Sequence, residues 1–210
     1  MNNIILLGAP GVGKGTYGEK IAKILNLKIV VMGNIVREEA KKKTAFGKKI
    51  KETIEKGYLL TDEDITNILK NYLNNSKLKE GIILDGYPRT INQAEILESL
   101  IKVNKVVYYF ASEKIIVQRL SSRLICPKCK AVYNVLTMPP KKAGYCDNDN
   151  EKLIRRKDDE PESIKKRLKE YEEKTAPLEK FYEDKGILIK IKGEGDPEKV
   201  IQKTIEKLKT

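Results

Sequence analysis

Apolar residues gather in five short runs, at 3–7, 28–31, 81–85, 105–110 and 187–191, each of a length that suits a strand better than a helix. Between them the spacing turns helical, over 17–25, 63–73, 91–101, 114–124 and 163–182. In the last of these Ile164, Leu168, Tyr171 and Leu178 are predicted to share one face. Continuous apolar strands that alternate with amphipathic helices require crossover connections. The chain therefore reads as an α/β fold, a parallel sheet of five strands flanked by helices. Two regions break the alternation. One, about 31–60, is helical and Lys-rich and is inserted between the second and third strands. The other, about 122–159, holds all three Cys, the Met138-Pro139-Pro140 turn and Gly144, and shows little periodicity. The expected division is a core of 1–30, 61–121 and 160–210 with separate units at 31–60 and 122–159.

Composition narrows the chemistry. The 210 residues, 40% of them hydrophobic, are enough to bury a core. Lys and Arg exceed Asp and Glu by 12, which in principle attracts polyanions. However, the excess is mostly Lys spread along predicted helix faces, so solvation explains it and neither a nucleic-acid nor a membrane partner is expected. The longest early apolar run is too short for a signal peptide or a membrane span. A cytoplasmic location is expected, and nothing demands more than a monomer. The chain has no His, which excludes an imidazole base, a Ser-His-Asp relay and His metal ligands.

The first strand runs directly into Gly8-Ala9-Pro10-Gly11-Val12-Gly13-Lys14-Gly15-Thr16, which opens a helix. Such a loop points successive backbone N–H groups at a phosphate, with the helix N-terminus behind them and Lys14 as a mobile charge. The strand, loop and helix context makes this a P-loop. The position after the Lys, usually Ser or Thr, is Gly15, and the hydroxyl comes one step later at Thr16. The third strand ends at Asp85, a carboxylate placed to hold the hydration shell of Mg²⁺ beside the P-loop. It is followed by Gly86-Tyr87-Pro88-Arg89-Thr90.

Cys126-Pro127-Lys128-Cys129 and Cys146-Asp147-Asn148-Asp149 form two short knuckles. They can surround a tetrahedral ion with three thiolates and a carboxylate, with Asp149 favoured over Asp147 by the spacing. The expected ion is a structural Zn²⁺ that staples a unit too small to build its own core.

Three runs, 8–16, 85–90 and Arg156-Lys157-Asp158-Asp159, occur in an order and spacing that resembles the nucleoside monophosphate kinases, and most closely the adenylate kinases of the long-lid type. The resemblance extends from Ile4 to about Val200. It implies reversible, Mg²⁺-dependent phosphoryl transfer from ATP to AMP, giving two ADP, with 31–60 closing over the monophosphate and 122–159 acting as a zinc-bearing lid. It assigns the ATP phosphates to Gly11, Val12, Gly13, Lys14, Gly15 and Thr16. Arg119 and Arg123 would meet the donor, with Val132, Tyr133 and Gly195 lining its site. For AMP it implies Met32, Arg37, Tyr58, Leu59, Leu60, Gly86, Tyr87, Pro88, Arg89 and Gln93. Arg156 and Arg167 would contact the phosphates between them. The catalytic set would be Lys14, Arg89, Arg123, Arg156 and Arg167.

Planar Arg forks hold phosphate oxygens bidentately, and phosphoryl transfer asks chiefly for positioning and charge stabilisation. Six of the seven Arg fall at these positions and only Arg155 does not, in a chain with 35 Lys. Gln93 suits adenine because an amide both donates and accepts. At 31–37 the sequence departs from the family. Met32 replaces a Thr hydroxyl, which is expected to weaken acceptor selectivity or shift that contact to another group, and Asn34 is expected to cap a helix in place of Asp. A kinase for another nucleoside monophosphate, one that uses GTP, and a nucleotide-sensing binding protein are the alternative readings.

Overall fold

The computed structural model describes residues 3–75 and 81–209. Parts of the expected core segments, at 1–2, 76–80 and 210, lie outside them. In chain order the elements are β1 (Ile4–Leu7), α1 (Lys14–Leu25), β2 (Lys28–Val31), α2 (Met32–Glu39), α3 (Ala45–Glu55), α4 (Asp62–Asn75), β3 (Ile82–Asp85), α5 (Ile91–Leu100), β4 (Lys105–Phe110), α6 (Glu113–Ser121), β5 (Arg123–Ile125), β6 (Val132–Asn134), α7 (Pro161–Glu170), α8 (Pro177–Asp184), β7 (Leu188–Lys192) and α9 (Pro197–Lys209). The five strands expected from the apolar runs form one sheet in the order β2-β3-β1-β4-β7, and every pairing is parallel.

Alternation along each strand divides the core between the two faces. Ile5, Leu7, Ile82, Leu84 and Val106 pack on one side, whereas Ile4, Leu6, Ile83, Val107 and Tyr109 pack on the other. Each such aliphatic side chain contributes about 1.5–3 kcal/mol on burial. With β1 at the centre of the sheet, its carboxyl end opens into the loop that leads to α1. Among the described residues no helix is long and apolar enough to cross a membrane.

Three local departures from the sequence expectations have physical causes. The helix expected over 114–124 stops at Ser121, because Arg123–Ile125 pairs antiparallel with Val132–Asn134 instead. The Ser122 hydroxyl, donating to the Gln118 carbonyl at 2.5 Å, finishes the last turn. The helix expected over 163–182 is broken by a π-turn at Tyr171–Thr175, where Ala176 N–H reaches back to the Tyr171 carbonyl at 2.8 Å. Pro177 follows immediately, has no N–H and cannot continue the α-helical ladder. The extra residue rotates the apolar face, so that Ile164, Leu168 and Tyr171 pack near Ala9, Ile116 and Leu120 while Leu178 turns to the core under β3 and β4. Finally, α2 begins at Met32, so Asn34 lies inside the helix and does not cap it. Its Oδ1 accepts from Arg37 Nη2 at 2.8 Å, which orients that guanidinium.

Candidate active site

The carboxyl ends of β1 and β3 open on a cleft of ≈ 600 Å³. Backbone geometry sets its floor. Gly8 has φ +131, and a Cβ there would come within 2.1 Å of the Tyr109 carbonyl oxygen. Gly13 has φ +111, and a Cβ would lie 2.7 Å from the Tyr17 ring. Only glycine lets the loop fold this closely over the sheet. The first turn of α1 has no side-chain cap, so its N–H groups stay available to an anion. Lys14 Nζ donates to the Gly8 and Ala9 carbonyls at 2.7 and 2.9 Å, poised over the loop. Burial, opposed by Asp85, lowers Lys14 to about 8. Burial likewise raises the Asp85 carboxyl, against the pull of Lys14 and the nearby guanidiniums.

Six guanidiniums, those of Arg37, Arg89, Arg119, Arg123, Arg156 and Arg167, line the cleft, and Arg155 does not. Five of them, all but Arg156, are held by hydrogen bonds to the protein. Arg119 Nη1 donates to the carbonyls of Val12 and Gly193 at 2.8 and 2.7 Å, which buttresses the P-loop from behind. Arg123 grips the buried Asp159, and Arg167 donates to that same carboxylate at 2.9 Å and to the Asp158 carbonyl at 2.8 Å. Arg89 is fixed at three points: its N–H donates to Gln93 Oε1 at 2.7 Å, its carbonyl accepts from Thr175 Oγ1 at 2.9 Å, and its Nε donates to the Gly86 carbonyl at 3.0 Å.

Charge is not balanced here. Lys14, Lys130 and the six arginines bring eight basic groups to the lining against the four carboxylates of Glu19, Asp85, Asp158 and Glu170, with Asp159 buried behind Arg123 as a fifth. Burial, and then Arg123 and Arg37, hold the Arg156 guanidinium below its ordinary value. Its Nε is also buried without a hydrogen-bond partner. A polyanion in the cleft would satisfy both deficits.

The structure gathers most of the residues expected at the site. Gly11, Gly13, Lys14, Gly15, Thr16, Arg119, Val132, Tyr133 and Gly195 line the cleft. Met32, Arg37, Tyr58, Leu59, Leu60, Gly86, Pro88, Arg89 and Gln93 line it as well, as do Asp85, Arg123, Arg156 and Arg167. Two are turned away. The Val12 side chain is in the core, so only its backbone can serve the site. Tyr87 is fully buried, with its hydroxyl 2.8 Å from Thr66 Oγ1.

Asp158 and Asp159 position guanidiniums and Thr175 holds the Arg89 backbone, but none of the three has an assigned role in the sequence reading. The pair Asp158-Asp159 directly after Arg156-Lys157 was the available signal; Thr175, brought in by the π-turn, had none. Over the cleft, 122–159 touches 31–60: Lys130 reaches Glu38 at 3.1 Å and Lys157 reaches Glu55 at 3.5 Å.

The Cys knuckles also converge. Cys126 Sγ lies 3.3 Å from Asp149 Oδ1, Cys129 Sγ lies 3.5 Å from Cys146 Sγ, and all four ligand atoms fall within 4.8 Å of one another. A tetrahedral zinc with Zn–S bonds of about 2.3 Å requires sulfurs roughly 3.8 Å apart, so the set fits that ion. Asp147 instead accepts from Lys141 N–H at 2.9 Å. The apolar cluster around the site is small, namely Cys126, Tyr133, Cys146 and Leu153 with Leu124 and Ala131 against them.

A P-loop at the carboxyl edge of a parallel sheet, facing a wall of restrained guanidiniums, defines a nucleotide-binding phosphotransferase. The sequence model of the family described as adenylate kinase matches residues 6–187. Relatives named adenylate kinase include that of Kosmotoga olearia, 42% identical over 211 residues and covering 98% of each chain. That of Thermotoga maritima is 42% identical over 199 residues, covering 92% of this chain and 90% of the relative. That of Anaeromyxobacter dehalogenans strain 2CP-1 is 40% identical over 207 residues, covering 96% of each. The chain belongs to the adenylate kinase family.

Proposed function

We propose that the protein catalyses reversible transfer of the terminal phosphoryl group of ATP to AMP, giving two ADP, and so keeps adenine nucleotides in balance. The observation that carries this reading is that one cleft is lined together by the P-loop, by Gln93 and by six guanidiniums, five of them held by hydrogen bonds. The P-loop N–H groups and Lys14 would bind the donor phosphates, with Arg119, Arg123, Val132, Tyr133 and Gly195 around the donor nucleoside. Arg37, Tyr58 to Leu60, Met32, Gly86 to Arg89 and Gln93 would hold AMP. Arg89, Arg123, Arg156 and Arg167 would neutralise charge on the transferring group, which passes directly between oxygens and needs no side-chain base. Asp85 would hold Mg²⁺ through water, a mode natural to this hard and tightly hydrated cation, which when bound shields the donor phosphates.

The segments 31–60 and 122–159 act as separate units that shut over acceptor and donor; the Lys130–Glu38 and Lys157–Glu55 contacts support that closure. Closure excludes water, the competing acceptor. Zinc at Cys126, Cys129, Cys146 and Asp149 would staple the second unit. One chain supplies both ends of the cleft, so a monomer suffices, and a cytoplasmic setting suits the reduced thiols.

The test is a coupled assay with ATP or GTP as donor and AMP, GMP, CMP or UMP as acceptor, with and without Mg²⁺. ADP formation from ATP and AMP that requires Mg²⁺ is expected; preference for another acceptor or donor would overturn the reading.

A further inference from the structure

Asp62 opens α4, and its carboxylate collects donors from the start of α5. Thr90 Oγ1 and Asn92 Nδ2 donate to Oδ2 at 3.0 and 2.9 Å, and Gln93 Nε2 donates to Oδ1 at 2.6 Å. Burial alone would raise this carboxyl, yet the hydrogen bonds from Asn92, Gln93 and Thr90 hold it below the usual carboxylate range, so it stays ionised and accepts only.

The far end of the Gln93 amide is equally constrained, since Oε1 accepts from Arg89 N–H at 2.7 Å. A backbone N–H can only donate and a carboxylate can only accept, so the amide has one permitted orientation. An amide carries two N–H donors and two oxygen lone pairs. One of each is used inside the protein, which leaves one donor and one acceptor for the cleft that Gln93 lines. Adenine offers the complementary acceptor and donor at N1 and its 6-amino group. A 6-oxopurine offers the reverse order. Met32, also in the lining, is apolar and 1% exposed and its side chain supplies no hydrogen bond, which leaves the Gln93 amide to discriminate.

We propose that Asp62, which does not itself line the cleft, is a positioning residue that sets acceptor-base specificity by fixing which way the Gln93 amide faces. The proposal rests on the reading that Gln93 meets the acceptor base. In Asp62→Asn the side chain keeps one acceptor oxygen where three donors need two. Turned toward Asn92 and Thr90, it sets an NH₂ against the Gln93 NH₂, so only the Arg89 N–H still holds the amide and its orientation is no longer fixed from both ends. Asp62→Leu removes every acceptor.

The experiment compares steady-state kinetics of wild type, Asp62→Asn and Asp62→Leu with AMP and IMP as acceptors, with folding checked by circular dichroism. Loss of an ionic hydrogen bond at this position is expected to raise KM for AMP about tenfold and to lower the AMP-to-IMP ratio of kcat/KM by a similar factor, with kcat changed by no more than about twofold. A folded Asp62→Asn that keeps the wild-type ratio, or loses AMP and IMP activity equally, overturns the proposal and shows a merely structural role. Should Asp62→Leu fail to fold, the nearly isosteric Asp62→Asn decides alone. A wild-type protein that does not phosphorylate AMP overturns the functional reading itself, and this inference with it.

Discussion

Arg123 and Asp159 meet edge to edge, Nε donating to Oδ2 at 2.8 Å and Nη2 to Oδ1 at 2.5 Å, although 36 residues separate them in the chain. The same Oδ1 also accepts from Arg167, so one fully buried carboxylate aims two guanidiniums into the cleft. Asp159→Asn removes the negative charge and turns an NH₂ toward one of them. Breaking a buried pair in this way is expected to cost about 3 kcal/mol of stability, read as a lower urea midpoint, together with a fall in kcat. A variant with the wild-type midpoint and turnover would show that the pair organises nothing.

Lys14 gives the protein a defined alkaline response. Its value is about 8 in the folded chain against 10.5 for the free side chain. Below pH 8 it is charged in both states and the full cost of burying that charge is borne. Between 8 and 10.5 the unfolded chain binds more protons, so this group makes stability rise with pH. Nucleotide binding runs the other way, because the phosphates require the ammonium form. Binding of ATP above pH 8 should therefore take up a proton and weaken by about tenfold per pH unit. Calorimetry at pH 9 in buffers of different ionisation enthalpy measures the uptake; its absence, or its persistence in Lys14→Met, contradicts the assignment.

Arg89 tests the distinction between a fork and a point charge. Arg89→Lys and Lys14→Met should each lose contacts made in the transition state, worth about 2–4 kcal/mol, seen chiefly in kcat. Thr175→Val removes only the hydroxyl that holds the Arg89 carbonyl, a loss of about 1 kcal/mol and hence a roughly fivefold fall in kcat/KM. If Thr175→Val were as damaging as Arg89→Lys, the hydroxyl would have to act on substrate directly.

Zinc content and stability should move together. Metal analysis is expected to find about one zinc per chain, and chelation or Cys126→Ser should lower the melting temperature, because the apolar cluster around the knuckles is too small to hold that unit alone. Metal-free protein that melts at the same temperature would count against a structural ion.

Much of this architecture was legible in local pattern. The five strands and the loop after β1 follow from apolar runs and glycine spacing, which are properties of neighbouring residues. Where the structure departs from local pattern, a competing interaction decides. Pro177 announced the end of a regular helical ladder, but the π-turn it follows, and the rotation that sends Leu178 away from Tyr171, emerge only from packing. Asn34 looked like a cap because capping residues favour helix starts, yet α2 begins two residues earlier. The supports of the site were the least visible part. Asp62 and Gln93 lie 31 residues apart, and Thr175 and Arg89 lie 86 apart, so no motif could join them.

The division of labour between guanidiniums and amines has a chemical consequence. Among the described residues, Lys14 and Lys130 are the lysines that line the cleft, and Lys130 is engaged by Glu38 and the Pro127 carbonyl. At mildly alkaline pH Lys14 is partly neutral and nucleophilic, whereas amines such as Lys180 and Lys190, paired with carboxylates, are pushed the other way. An amine-selective acylating reagent that enters the cleft is expected to react at Lys14 more readily than at those paired amines, and phosphates bound over the loop should protect it.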